Sequence, residues 1–299
     1  MNRYSRQSFL GEQSEEIFRT TKAGIVGLGG GGSHVAQQLA HIGVGNFALF
    51  DPDILELPNL NRTVGATAAD VRNGTPKVDI AERMIRSINE GAQVRPVRGL
   101  WQENLALLRS CDVVFGCIDG LIPRLGLEES CRRAMIPLID IGMDVHRGLP
   151  YSISGQVIVS IPGDPCFKCM HFIRDDDIAE EESKYGQAGS APQVIWSNGV
   201  LASTAVGLFV QMLTPWCPQQ AGCHFIGYDG DASILEHDAR FDQVHSRYCT
   251  HYQTNDLGDP FWTPQPLNES GVSPIETVQR NQGSRLYEAL RSWAKSFWH

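Results

Sequence analysis

The chain predicts an α/β fold: a Rossmann-like, mostly parallel sheet covered by helices on both faces and continued by mixed strands. Three observations predict it. Short apolar runs alternate with longer helical patterns through the first half of the chain. A glycine cluster, GLGGGGS from Gly27 to Ser33, joins the first such strand to the first such helix. Beyond about residue 145 the pattern changes to alternating polar and apolar residues, the mark of strands with one wetter face.

Ala23–Gly27 reads as a buried strand and Ser33–Ile42 as the helix after it, with Ser33 as an ordinary helix-start serine. Asn46–Phe50 is a second strand. Pro76–Asn89 is a helix with proline in its first turn, where the missing N–H costs nothing. Val94–Val97, Cys111–Ile118 and Pro137–Ile141 are further strands, with a helix over Pro123–Ala134 between the last two. Tyr151–Val159 is an alternating strand. The stretch 173–192, with Asp175-Asp176-Asp177 and Glu180-Glu181-Glu182, reads as a solvated loop. Trp196–Leu213 is a buried helix whose apolar run, broken by Ser203, Thr204 and Gly207, is too short for a bilayer span. The sheet resumes at His224–Tyr228. Asn255–Pro274 is rich in proline, glycine and asparagine and reads as irregular, and Ile275–Trp298 reads as an amphipathic terminal helix.

Composition narrows the function. A formal net charge of -9 without a long basic run argues against nucleic acid as the main ligand. The N-terminus lacks the apolar core of a signal peptide, and no segment reads as a membrane span, so a cytoplasmic protein is expected. The chain's 8 cysteines then read as reduced thiols or metal ligands rather than a disulfide framework. Cys111, Cys117 and Cys131 lie in apolar surroundings and read as small core fillers.

Gly27-x-Gly29-x-x-Gly32 follows a strand and opens a helix, the context in which backbone amides cradle a phosphate. Gly30 and Gly31 fill the variable positions, so a ligand can approach the backbone closely. Asp51 ends the next strand, where a carboxylate can hold ribose hydroxyls. These features suit a nicotinamide dinucleotide as well as ATP. Asn59, Arg62 and Lys77 separate the two, because a triphosphate under attack needs positive charge and a redox dinucleotide does not. Asp119 ends another strand and could hold magnesium, with Arg124 shortly after it.

Arg3-Tyr4-Ser5-Arg6-Gln7, the glycine loop, Asp51-Pro52-Asp53, Asn59-Leu60-Asn61-Arg62, Pro76-Lys77 and Asp119 with Arg124 together resemble the ThiF/MoeB/HesA family, related to the ubiquitin-activating enzymes. The resemblance spans roughly residues 3 to 250. It implies an N-terminal arm over 1–22, an adenylation domain over 23–250 with a crossover loop at 173–194, and a C-terminal extension over 251–299. It further implies an ATP-dependent adenylyltransferase that activates the C-terminal carboxylate of a small ubiquitin-like or sulfur-carrier protein. A homodimer is implied too, with Arg6 reaching the partner subunit's site. In that reading Gly30 lies against the nucleotide and Asp51 binds the ribose. Asn59, Arg62 and Lys77 contact phosphates, and Asp119 holds magnesium. Gly120 departs from the asparagine usual after that aspartate. Adenylation of a peptide or nucleoside carboxylate is the alternative within this chemistry. A nicotinamide-dependent oxidoreductase, or a scaffold without activity, lies outside it.

In many relatives a CxxC such as Cys166-Phe167-Lys168-Cys169 joins a second CxxC in a structural zinc site. No second pair exists here, and the resemblance makes Cys249 and His251 the substitutes, with His245 in reserve. The crossover stretch contains no cysteine. Cys217 and Cys223 are therefore the thiols left to consider for a thioester, and adenylation is expected without one.

Overall fold

A computed structural model describes residues 3–183, 192–217, 222–252 apart from 245 and 247, and 257–258. The expected irregular stretch 255–274 and the terminal helix over 275–298 fall almost wholly outside these residues, as does His245.

Eight strands form one sheet in the order β3-β2-β1-β4-β5-β6-β7-β8. β1 (Lys22–Val26), β2 (Asn46–Phe50), β3 (Gln93–Val97), β4 (Val113–Gly116) and β5 (Leu138–His146) run parallel. β6 (Ser152–Ser160), β7 (His224–Asp229) and β8 (Ile234–His237) complete it antiparallel. The order reverses at β1, so the chain crosses to opposite sides of that strand, and ligands collect above such a reversal.

Helices cover both faces. α1 (Ser14–Thr20), α2 (Gly30–Ile42), α4 (Lys77–Ile88) and α8 (Ile195–Leu213) pack with Ala23, Ile25, Phe47, Leu49, Val113 and Phe115 in one core. On the other face α5 (Leu105–Leu108) and α6 (Leu121–Arg133) pack with Val26, Ala48, Phe50 and Val114. Alternate strand residues thus point to opposite cores, which is why these strands read as continuous apolar runs. α8 is long and apolar enough to cross a membrane. Here Leu201, Ala202, Ala205 and Phe209 at helical spacing are fully buried against the sheet instead, and Phe209 meets Phe18 and Phe115 at 6.1 and 5.7 Å.

Several boundaries differ from the sequence reading. α2 starts at Gly30, so Ser33 is inside the helix: its hydroxyl donates to the Gly30 carbonyl and accepts the Val64 N–H. β5 continues through His146, pairing with β6 along its whole length. The acidic run is no loop but a helix, α7 (Asp175–Ser183). Asp175, Asp176 and Asp177 occupy its first turn, where the helix dipole favours negative charge, and the Asp177 carboxylate accepts the Arg174 N–H at 2.9 Å. β8 is an edge strand exposed at every position, so it leaves no alternation to detect. α3 (Ala68–Asn73) is short and held by a capping box between Thr67 and Asp70.

Asp70 is buried at 4% exposure and pairs with Arg83 at 2.8 Å. The guanidinium and the Thr67 hydroxyl hold its carboxyl well below the ordinary range. A carboxyl depressed in the folded state adds stability above its unfolded pKa and loses it as pH falls through the folded value. Asp70→Asn should therefore cost about 1 kcal/mol near neutrality, Arg83 being half exposed, and the deficit should shrink in chemical denaturation at progressively more acid pH. Phe209→Ala, which empties the centre of the larger core, should cost about 3–5 kcal/mol in the same assay.

Candidate active site

A cavity of ≈ 380 Å³ opens at the ends of β1, β2 and β4, beside the middle of β5. Its wall contains Gly27, Gly29, Gly30, Asp51, Asn59, Arg62, Lys77, Asp119 and Arg124, residues drawn from five separate stretches of sequence. Gly32 and Arg6 are not part of it.

The glycine loop is shaped by close approach. Gly27 has φ +86, and a Cβ there would stand 2.3 Å from the Cys117 carbonyl oxygen. A Cβ on Gly32 would stand 1.8 Å from the Gly27 carbonyl oxygen, so the packing of the loop itself requires glycine there. Gly29 has nothing within 4 Å of its would-be Cβ and opens to the cavity. Gly30 faces the side chain of Asn198, whose Nδ2 would lie 2.5 Å from an added Cβ.

Asp51 fastens this loop to β2. One carboxylate oxygen accepts the Leu28 N–H at 2.6 Å and the other the Asp53 N–H at 2.8 Å. Burial raises its pKa, opposed by the charge of Lys77 and by both backbone bonds. Each oxygen accepts one of these bonds, which leaves the carboxylate, itself part of the cavity wall, with further acceptor capacity.

The cations are held in place. Lys77 opens α4, is nearly buried, and its ammonium meets Asp53 at 2.7 Å. Arg62 donates to the Pro58 carbonyl at 2.7 Å and to Asn61 at 3.2 Å. Asn59 closes the turn before it, its side-chain oxygen accepting the Glu56 N–H at 3.2 Å. Arg124 lines the cavity but is ion-paired with Asp140, buried beneath it, so its charge is neutralised from within. Burial pushes the Asp140 carboxyl up and the Arg124 charge opposes this.

Asp119, exposed at the rim, follows β4. Gln193 donates to its carboxylate at 3.4 Å, while the Gln193 carbonyl accepts from Asn61 at 3.4 Å, so Gln193 spans the rim from the Arg62 loop to Asp119. Gly120 has φ +85 with ψ 145, a conformation in which a side chain is strained. Arg6 sits exposed in a 3-10 turn, Ser5–Leu10, whose neighbour Gln7 donates to the Ile42 carbonyl at 3.0 Å.

Sequence reading missed Asn198, Gln193 and Trp101, all in the cavity wall. Asn198 left one trace, a polar side chain near the start of an apolar helix. Trp101 and Gln193 left none, since both stand in connections between elements.

A second cluster lies elsewhere. The ligand atoms of Cys166, Cys169, Cys249 and His251 all fall within 4.8 Å of one another. Sulfur pairs 166–169 and 169–249 are 3.6 and 3.7 Å apart, and His251 Nδ1 is 3.2 Å from the Cys169 sulfur. Tetrahedral zinc with bonds of about 2.3 Å sets thiolates about 3.8 Å apart, so the cluster could hold that ion. The hydrogen bond between Cys166 and Cys249 lowers the Cys249 thiol and drives that of Cys166 up. The thioester candidates fare poorly: burial raises the Cys223 thiol, and Cys217 lies outside the cavity wall.

The chain is 34% identical over 177 residues to the molybdopterin-synthase adenylyltransferase of Escherichia coli strain K12, covering 57% of this chain and 68% of that protein. It is 31% identical over 175 residues to the SAMP-activating enzyme E1 of Haloferax volcanii, covering 57% of this chain and 62% of that one. Among solved structures, E. coli MccB with ATP has the same fold at TM-score 0.64 and 22% identity, covering 80% and 71% of the two chains. Residues 2–248 match the ThiF family, and the chain belongs to that family.

Proposed function

We propose that this chain is an ATP-dependent adenylyltransferase that activates the C-terminal carboxylate of a small ubiquitin-like or sulfur-carrier protein as an acyl-adenylate, releasing pyrophosphate. The observation that carries the reading is convergence: Arg62, Lys77 and Asp119 meet Asp51 and the glycine loop around one cavity. A volume of ≈ 380 Å³ lies within the range of nucleotide-sized pockets. The amides around Gly29 and Gly30 face phosphate, Asp51 has capacity for ribose hydroxyls, and Arg62 and Lys77 supply the charge. A nicotinamide dinucleotide would leave those two cations without a task.

The attacking carboxylate is ionised at neutral pH, so no general base is needed. Catalysis rests on alignment of that carboxylate with the α-phosphorus and on neutralising charge as the α–β bond breaks. Lys77 and Arg62 are already oriented by Asp53 and the Pro58 carbonyl, so their side chains pay little ordering entropy on binding ATP. Asp119, with Gln193 beside it, would hold magnesium, which supplies further neutralisation of the phosphates.

In this reading the enzyme is a cytoplasmic homodimer, and Arg6 of one protomer serves the other's cavity. Its exposure outside the cavity of its own chain supports this, as do the exposed Phe9 and Trp216, stacked edge-on at 6.0 Å beside it. The cysteine–histidine cluster carries structural zinc.

Arg62→Ala should lower carrier-dependent ATP–pyrophosphate exchange by about a hundredfold or more while leaving the melting temperature near wild type. Asp119→Ala should do the same, and full exchange in that variant would remove the magnesium role. Purified protein should contain about one zinc per chain, and its removal by a chelator should lower the melting temperature. Less than half an equivalent in metal analysis would contradict the zinc site.

A further inference from the structure

α6 begins two residues after Asp119, with Gly120 between them, so the geometry of its first turn decides where that carboxylate points. A helix start leaves N–H groups without partners. At α6 no side chain of the preceding residues caps them, because position 120 is glycine. The partner comes instead from α7. One Glu181 oxygen accepts the Leu121 N–H at 2.9 Å, and the other accepts the Leu121 and Ile122 N–H groups at 3.0 and 2.9 Å.

The two positions are mutually dependent. Gly120 has φ +85, and a Cβ there would stand 3.0 Å from a Glu181 oxygen. Glycine at 120 therefore both permits the backbone path and leaves room for the carboxylate. α7 is held against α6 by packing: Ile178 joins Leu121 and Leu125 on the same apolar core. At its other end Asp175 meets Lys168 at 2.7 Å.

We infer that Glu181 is a positioning residue for the ATP site: by capping α6 from a neighbouring helix it fixes the turn that presents Asp119 to the metal–triphosphate. This assignment rests on the proposed reading of the cavity. The physical reason is charge and geometry together. A carboxylate at a helix N-terminus is favoured by the dipole, and three short bonds to two successive amides pin the turn in one orientation. Gln193, whose own bond to Asp119 is 3.4 Å, is a weaker restraint.

The test measures binding of the non-hydrolysable analogue AMPCPP to the full-length protein by calorimetry, with saturating magnesium and with EDTA. Wild type should bind AMPCPP more tightly with magnesium, and failure to do so would remove the reading of the cavity itself. Glu181→Ala should weaken binding in magnesium about tenfold, the order of a lost helix cap, and raise the magnesium needed for half-saturation. In EDTA it should match wild type, since the analogue's direct contacts are intact. Glu181→Gln, whose side-chain oxygen can accept but carries no charge, should recover part of the loss at the same melting temperature. Wild-type affinity and magnesium dependence in a folded Glu181→Ala protein would overturn the assignment. So would tighter binding, which would make Glu181 a competitor of phosphate at that helix end.

Discussion

The bond from Leu28 to Asp51 organises the site. A carboxylate buried at the end of β2 reaches across the sheet and holds the glycine loop after β1 by its amide at 2.6 Å. Gly27, tight against the Cys117 carbonyl, then locks the loop to the end of β4. Three strand ends become one rigid rim, and the remaining groups are arranged on it. Because Asp51 also accepts the Asp53 amide, the same carboxylate orients the residue that anchors Lys77. The glycine loop, Asp51, Asp53 and Lys77 are thus one connected network rather than separate recruits.

The cations illustrate how such a site stores readiness. Lys77 and Arg124 each face a carboxylate on the protein side, so neither is a bare charge in the absence of a ligand. Their neutralisation differs in kind. Asp53 is mostly exposed and can release Lys77 to an anion entering the cavity, as the proposed function requires, whereas Asp140 is wholly buried and makes Arg124 a fixed part of the wall. Arg62, bonded to a carbonyl and an amide oxygen, keeps its full charge, which the proposed function assigns to the triphosphate.

Much of this was legible in the amino-acid order. The parallel strands announce themselves because both faces are buried, and the phosphate-site residues occur in sequence after a glycine loop. What escaped has physical causes. Gly32 sits inside the fingerprint, but its close approach to the Gly27 carbonyl is a contact that spacing does not encode. The acidic stretch reads as a loop, but Asp175, Asp176 and Asp177 form the N-terminal turn of α7, where the dipole makes their charges stabilising. Glu181 and Gln193 act across 60 and 74 residues of sequence, a juxtaposition that no local pattern encodes. Cys249 and His251 came from analogy, and the fold brings them to Cys166 and Cys169 as that analogy required.

The central claim is that the cleft is built for a polyphosphate tail and not merely for an adenosine. Thermal melting with ATP and magnesium, AMP, and NADH at equal concentrations tests it most directly, since stabilisation grows with ligand affinity. ATP with magnesium should raise the melting temperature well beyond AMP, and NADH should leave it unchanged. Equal shifts from ATP and AMP, or a shift from NADH alone, would contradict the account.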